Sequence, residues 1–273
     1  MAFSLIWLPE VLKNAGLKVA TVDGWETRGA ADSKGNRNVG KIFGVICHHT
    51  GVNSNKNMPT LNSLINGRKA GQGIKALSGP LAQLGLGRDG TFYVVAAGRA
   101  NHAGAGLWQG LTNGNSNFIG IEAENRGLAN DFPWPAVQLD AYHRGVAAIL
   151  RHIGKGAEFC AGHKEYALPP KRKDDPTLDM DVFRATVRAI LNGDAPPLAL
   201  IPSSEAGGRP TLRRSKKNDP ELVKQMQTKL RVEADGVFGA GTEAALREFQ
   251  RQHGFVADGI VGPKTWAALD AVV

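Results

Sequence analysis

The stretch that most constrains this chain is an apolar run closed by paired histidines, Val45-Ile46-Cys47-His48-His49. Followed by the polar, turn-rich Thr50-Gly51-Val52-Asn53, it reads as a short buried strand that delivers its last side chains to a strand end. Binding and catalytic side chains concentrate at such ends. Side chains alternate along a strand, so His48 and His49 face opposite ways and only one of them meets any one ligand. Far along the chain, Ala161-Gly162-His163 is followed by Asp175-Pro176, with the carboxylate twelve positions after the histidine. Two imidazoles and a carboxylate are the ligand set of an open catalytic zinc site, with a fourth position left for water. A lone histidine beside a strand is an ordinary polar residue; the pairing of distant segments is what points to a metal.

Four motifs in order then carry a family resemblance. Val45-Ile46-Cys47-His48-His49-Thr50-Gly51 resembles the first zinc-ligand strand of the type 2 N-acetylmuramoyl-L-alanine amidases, a family that includes phage endolysins and peptidoglycan recognition proteins. Asn101-His102-Ala103-Gly104 is similar to that family's Trp-His-Ala-Gly segment, and Ile119-Gly120-Ile121-Glu122 to its Ile-Gly-Ile-Glu strand. Ala161-Gly162-His163 with Arg172-Lys173-Asp174-Asp175-Pro176 resembles its closing Gly-His and Arg-Lys-x-Asp-Pro pair. The resemblance implies Zn²⁺ held by His48, His163 and Asp175. There are two departures: Asn101 replaces the family's tryptophan in the cleft wall, and the stretch from His163 to Asp175 is longer by two residues around Leu168-Pro169-Pro170. The insertion makes Asp174 a rival to Asp175, which is preferred for its following proline.

Such residues support metal-assisted amide hydrolysis, which also needs a general base to move the proton from water to the leaving amine. Glu122 and Glu124 share one face of their strand, and spacing does not choose between them. The resemblance points to Glu122. It also implies that Lys173 stabilises the oxyanion, although Lys171-Arg172-Lys173 is a basic run of the kind usually just solvated. His102 matches the family's cleft histidine, so substrate binding or transition-state support is expected of it, with metal ligation a lesser alternative. His49 is assigned to the substrate side of the cleft. Cys47 and Cys160 precede His48 and His163 by odd offsets, so both sulfurs are expected to face the core as free thiols.

Around these motifs, Thr91 to Ala97 reads as a strand and Pro135 to Ile153 as a helix with Val137, Tyr142, Val146 and Ile149 on one side. Asp179 to Leu191 reads as an amphipathic helix with Val182, Phe183, Val187 and Ile190 inward. Alternating strands and helices give an α/β catalytic domain over 1–193, a mixed β-sheet flanked by helices. Residues 194–217 are rich in Pro, Gly, Ser and Arg without apolar period, which is linker composition.

The remaining segment, 218–273, contains an internal repeat. Asp235-Gly236-Val237-Phe238-Gly239 leads to Thr242 and Ala245-Leu246, and Asp258-Gly259-Ile260-Val261-Gly262 leads to Thr265 and Ala268-Leu269. Each copy is a glycine turn, a helix-capping threonine and an apolar pair. With a further helix from Asp219-Pro220, carrying Leu222, Val223, Met226 and Leu230, this predicts a small all-α three-helix domain. It resembles the peptidoglycan-binding type 1 domain, which implies wall binding; the grooves beside the two Asp-Gly turns and Trp266 are the candidates, with a core role the alternative for Trp266.

A chain of 273 residues suits one large and one small domain, and 42% hydrophobic with 21% charged residues is a soluble globular composition. Net charge of +8 favours anionic partners. Arg209, Arg213, Arg214, Lys216 and Lys217 cluster in the linker without interleaved aromatics, so nucleic acid is not expected. The apolar Phe3 to Leu8 lacks a basic flank and is cut short by Pro9-Glu10, so neither a signal peptide nor a membrane anchor is expected. The resulting expectation is a monomeric, cytoplasmically made zinc hydrolase that cuts between N-acetylmuramic acid and L-alanine in peptidoglycan. It looks like a phage endolysin released through a membrane pore; a bacterial autolytic or recycling amidase, or a wall-binding protein with an inactive hydrolase half, are the alternatives.

Overall fold

The computed structural model describes residues 2–54, 56–71, 75–127, 134–194, 210–214, 218–253, 255 and 257–271. Most of the expected linker, including Arg209, Lys216 and Lys217, lies outside the described residues. The chain divides into two compact units, Met1–Ala199 and Leu200–Val273.

In chain order the first unit contains α1 (Leu8–Asn14), β1 (Val19–Thr21), β2 (Gly44–His49), α2 (Leu61–Asn66), β3 (Gly67–Arg68) and β4 (Leu77–Ser78). These are followed by β5 (Leu84–Leu86), β6 (Phe92–Val94), α3 (Gly114–Asn117), β7 (Phe118–Ala123), α4 (Ala136–His152), β8 (Cys160–Gly162), α5 (His163–Tyr166) and α6 (Met180–Asn192). Six strands form one sheet in the order β1-β6-β5-β7-β2-β8. All neighbours run parallel except β5 and β6. The α/β class expected from the alternation of elements is the one observed. β2 and β7 lie inside the sheet and are almost wholly buried, which is why their sequences are near-continuous apolar runs. The strand expected over Thr91 to Ala97 is shorter, Phe92–Val94, and the residues after it stay buried without pairing as a strand.

Strand alternation sorts the sheet into two faces. Val45 and Cys47 of β2 and Ile119 and Ile121 of β7 join the main core with Leu5, Leu8 and Leu12 near the N-terminus, Tyr142 and Val146 of α4, and Phe183 and Val187 of α6. Ile46 and Phe118 face the other way, into a smaller cluster with Ala103, Ala161 and Tyr166. His48 and Glu122 continue that second face, because they are two residues on from Ile46 and Gly120. The helix over 180–192 buries Met180, Phe183, Val187 and Ile190. Val182, expected inward, is instead 63% exposed. Its neighbours at i, i+4 and i+7 define the apolar stripe, and a position one residue ahead of the first falls outside it.

The second unit contains α7 (Pro220–Lys229), α8 (Ala240–Gln252) and α9 (Pro263–Ala271) around a core of Leu212, Val223, Met226, Phe238, Leu246, Phe249, Val261, Trp266 and Leu269. The sequence repeat is a structural repeat. Gln227 receives Gly236 N–H on its Oε1 and donates to Asp235 Oδ1 and Val237 O; Gln250 does the same with Gly259, Asp258 and Ile260. Gly236 and Gly259 both have positive φ, 76° and 71°, which is what the turn asks of a glycine. Trp266, a candidate for the binding surface or the core, is a core residue at 5% exposure, with its indole N–H donated to Pro210 O.

Candidate active site

Register sets the site before any side chain does. His48 stands opposite Glu122 across β2 and β7, and Cys47 opposite Gly162 across β2 and β8. His163 follows immediately as the first residue of α5, so three adjacent strands discharge their ends at one place. Lys164 N–H donates to Asp175 O at 2.7 Å, which brings the returning loop alongside.

His48 Nδ1, His163 Nδ1 and Asp175 Oδ2 form a nearly equilateral triangle with edges of 3.0, 3.1 and 3.1 Å. All three residues are buried. Asp174 is exposed, so Asp175 is the carboxylate at this position.

Hydrogen bonding on the far side of each ring fixes the tautomers. His163 Nε2 lies 2.9 Å from Ala103 O, and a carbonyl can only accept, so this nitrogen carries the proton and Nδ1 is bare. His102 Nε2 lies 3.3 Å from Phe118 O, so its Nδ1 is likewise an acceptor, and it receives a proton from His48 Nε2 at 3.1 Å. That leaves His48 Nδ1 bare as well. Burial holds both rings neutral, His48 at about 4 and His102 well below the usual histidine range. Two ring nitrogens and a carboxylate oxygen therefore face one another at contact distance, an arrangement that a shared cation makes favourable. Atoms about 2.0–2.1 Å from a shared tetrahedral ion stand about 3.3 Å apart, close to the edges seen here. The donor set fits zinc.

The cavity beside the triangle is about 290 Å³ and is lined among others by His49, Asn101, Glu122, Arg172 and Lys173. Glu122 Oε1 lies 4.0 Å from His48 Nδ1, and its buried Oε2 has no hydrogen-bond partner among the described residues. Burial, reinforced by Asp175, pushes this carboxyl up to about 8. Glu124 does not compete with it. Its carboxylate accepts Thr50 Oγ1 at 2.8 Å and Thr60 N–H at 3.2 Å, fastening the segment after β2 to the end of β7. Lys173 lines the cavity with no hydrogen bond or ion pair among the described residues.

His102 reaches the cavity, but both its nitrogens are engaged inside the protein, so it is placed to orient His48 rather than to bind substrate through a polar atom. It packs so closely on β7 that a Cβ at Gly120 would lie 2.5 Å from its Cγ, which is why that strand carries glycine there. His49, on the opposite face from His48, accepts Thr177 N–H at 3.4 Å and also borders the cavity. Asn101, where the family carries tryptophan, accepts Arg99 Nη1 and donates to Ser78 O.

Sequence reading missed Arg172 and Tyr142. Arg172 donates to Ala103 O, Ala105 O and Leu168 O, tying the longer 168–172 loop to the His102 segment. The Tyr142 hydroxyl of α4 receives His48 N–H at 2.9 Å and reaches His48 O and Ile121 O. Arg172 stands in the Arg-Lys-x-Asp-Pro motif, which gave it no role, and nothing in the sequence distinguishes Tyr142 from other core aromatics. The free thiols of Cys47 and Cys160 are buried and 3.6 Å apart on the core side of the sheet.

The family described as N-acetylmuramoyl-L-alanine amidase matches residues 38–178, just over half the chain, and a family described as a peptidoglycan binding domain matches residues 220–269. The chain belongs to the N-acetylmuramoyl-L-alanine amidase family and is an amidase acting on peptidoglycan. An uncharacterised protein in the bpoA1 3′ region of Kitasatospora aureofaciens is 40% identical over 26% of this chain and 69% of its own length. Among solved structures, a selenomethionine derivative of AmpD is 20% identical, covering 68% of this chain and 98% of its own, with a TM-score of 0.45. AmiD from E. coli, solved with anhydro-N-acetylmuramic acid-L-Ala-D-gamma-Glu-L-Lys, is 18% identical, covering 92% and 95%, with a TM-score of 0.42.

Proposed function

We propose that the protein is a zinc-dependent amidase of the endolysin type, cleaving between N-acetylmuramic acid and L-alanine, with its second unit holding it on the wall. The observation that carries the metal reading is the triangle of bare His48 Nδ1, His163 Nδ1 and Asp175 Oδ2. A zinc ion held there polarises a scissile carbonyl and acidifies water. Glu122, with an oxygen that no described group holds, takes the proton from the attacking water and passes it to the departing L-alanine amine. Lys173 supplies positive charge to the developing oxyanion from the cavity wall. His102 holds His48 in its tautomer, Ala103 O does the same for His163, and His49 and Asn101 border the space left for substrate.

The endolysin part rests on the pairing of a hydrolase with a wall-binding family in one chain. Among the described residues no helix is long and apolar enough to cross a membrane; passage to the wall through a separate pore is part of the endolysin reading. Mass spectrometry of digested sacculi tests the chemistry. New free amino groups on L-alanine, abolished by chelation and restored by zinc, are expected; new reducing sugar ends, or full activity without metal, would overturn it. Cells producing the protein should keep their turbidity until the membrane is permeabilised and then lyse.

A further inference from the structure

Tyr142 is fully buried in the main core, behind the sheet from His48 and Glu122, with its ring edge-on to Phe183 at 5.2 Å between centroids. Its hydroxyl is spent on the sheet itself. It accepts the His48 N–H at 2.9 Å and stands 3.0 Å from Ile121 O and 3.1 Å from His48 O, one of which takes its proton. These groups belong to the β2–β7 seam. Thr50 N–H donates to Ala123 O, and in a parallel ladder the same bond two residues earlier would run from His48 N–H to Ile121 O. The hydroxyl bridges that pair at the register where His48 stands beside Glu122. Pairing of β8 with β2 ends one residue sooner, at Cys47 and Gly162.

We infer that Tyr142 is a positioning residue: by holding the backbone of His48 it sets where that ligand meets the ion and how it stands against Glu122. The inference rests on the zinc reading of the triad. His163 and Asp175 are tied to each other, since Lys164 N–H donates to Asp175 O at 2.7 Å. His48 comes from another element, so the triangle closes only if the end of β2 is held in place from elsewhere. His102 orients the His48 ring through Nε2 but does not touch its backbone. A hydroxyl at the tip of a packed, buried ring does, and support of that rigidity is what keeps a metal ligand within its productive geometry. In Tyr142→Phe the ring still fills its space, but the His48 N–H and Ile121 O are left to close on one another. That draws one corner of the triangle towards β7 while the other two stay where they are.

The test uses the full chain with Zn²⁺ alone as the probe, its affinity read by competition with a chromogenic chelator. Tyr142→Phe should weaken zinc binding about tenfold, the scale of a lost outer partner of a metal ligand. Val187→Ala, which thins the same core but leaves the hydroxyl in place, should keep it within about twofold. At saturating zinc, Tyr142→Phe should lower kcat on a soluble muropeptide about tenfold and leave KM within about twofold, the pattern of a displaced ligand and not of a lost substrate contact. In the unsubstituted chain the Tyr142 hydroxyl proton should appear as a slowly exchanging resonance with a cross-peak to the His48 amide. Unchanged zinc affinity in Tyr142→Phe, equal weakening in Val187→Ala, a raised KM at constant kcat, or the absence of that resonance would overturn the assignment. A parent chain that binds no zinc would overturn the metal reading along with it.

Discussion

Glu122 and Glu124 are two residues apart near the end of one strand, yet their surroundings give them opposite work. Glu122 keeps an oxygen without a partner next to His48, whereas every donor near Glu124 is already committed to its carboxylate. Glu122→Gln should therefore hold zinc and fold normally while turnover falls by about 10² to 10⁴, the usual worth of a general base. Glu124→Gln should behave the other way: turnover per folded molecule changes little, but setting an amide NH₂ against the Thr60 donors should cost about 1–3 kcal/mol of stability, read as a lower melting temperature. Retained turnover in the first variant would move the base elsewhere. The same logic applies to His102. Its nitrogens bridge His48 to Phe118 O, so His102→Phe should weaken zinc affinity about 10- to 100-fold, measured by competition with a chromogenic chelator. An unchanged zinc affinity with a raised KM would return His102 to the substrate side. Residue types and order made the metal triad legible, but the choice of His48 over His49 and Glu122 over Glu124 came from family likeness. Alternation says only that neighbours face apart; it does not say which face holds the ion.

The strands were legible for a definite reason: buried parallel strands need apolar side chains on both faces, and the runs in β2 and β7 leave no other reading. Helix faces were less so. Val182 is as apolar as Val187, and only the position of α6 against the core decides that one is exposed and the other buried. Trp266 stayed open between surface and core for a similar reason, since large aromatics serve both alike. The α4–α6 contact carries a pH response. His143 packs on Phe183 with ring centroids 4.3 Å apart, and burial lowers its pKa from 6.5 to about 4, against a raising effect of Asp140 and alongside a lowering one of Arg144. Above pH 6.5 the ring is neutral folded or unfolded, and the packing is fully present. As pH falls from 6.5 towards 4, the unfolded chain takes up a proton that the folded one refuses, so stability declines by up to about 3 kcal/mol. His48 and His102 shift in the same direction, so the diagnostic quantity is a difference. The drop in melting temperature between pH 7 and 4.5 should be smaller in His143→Gln than in the parent; an identical drop would remove this contact from the acid response.

Each unit has its own hydrophobic clusters, two on the faces of the six-stranded sheet and one among three helices, and among the described residues none belongs to clusters of both units. Chemistry and wall attachment are therefore separable in principle. The composition carried this division into the sequence, because a stretch poor in periodic apolar residues separates two segments rich in them. The net charge of +8 did less, being equally suited to any anionic polymer. If the division holds, residues 1–193 alone should hydrolyse a soluble muropeptide with kcat/KM close to that of the full chain, since the triad, Glu122 and Lys173 all lie within them. Against intact sacculi the same fragment should lose affinity, because a second attached site raises local concentration and its removal commonly costs about 10²-fold in avidity. Parallel assays on the two substrates read this directly. Equal loss on both would mean that the second unit supports the fold of the first, and equal retention on both would leave it without a targeting role.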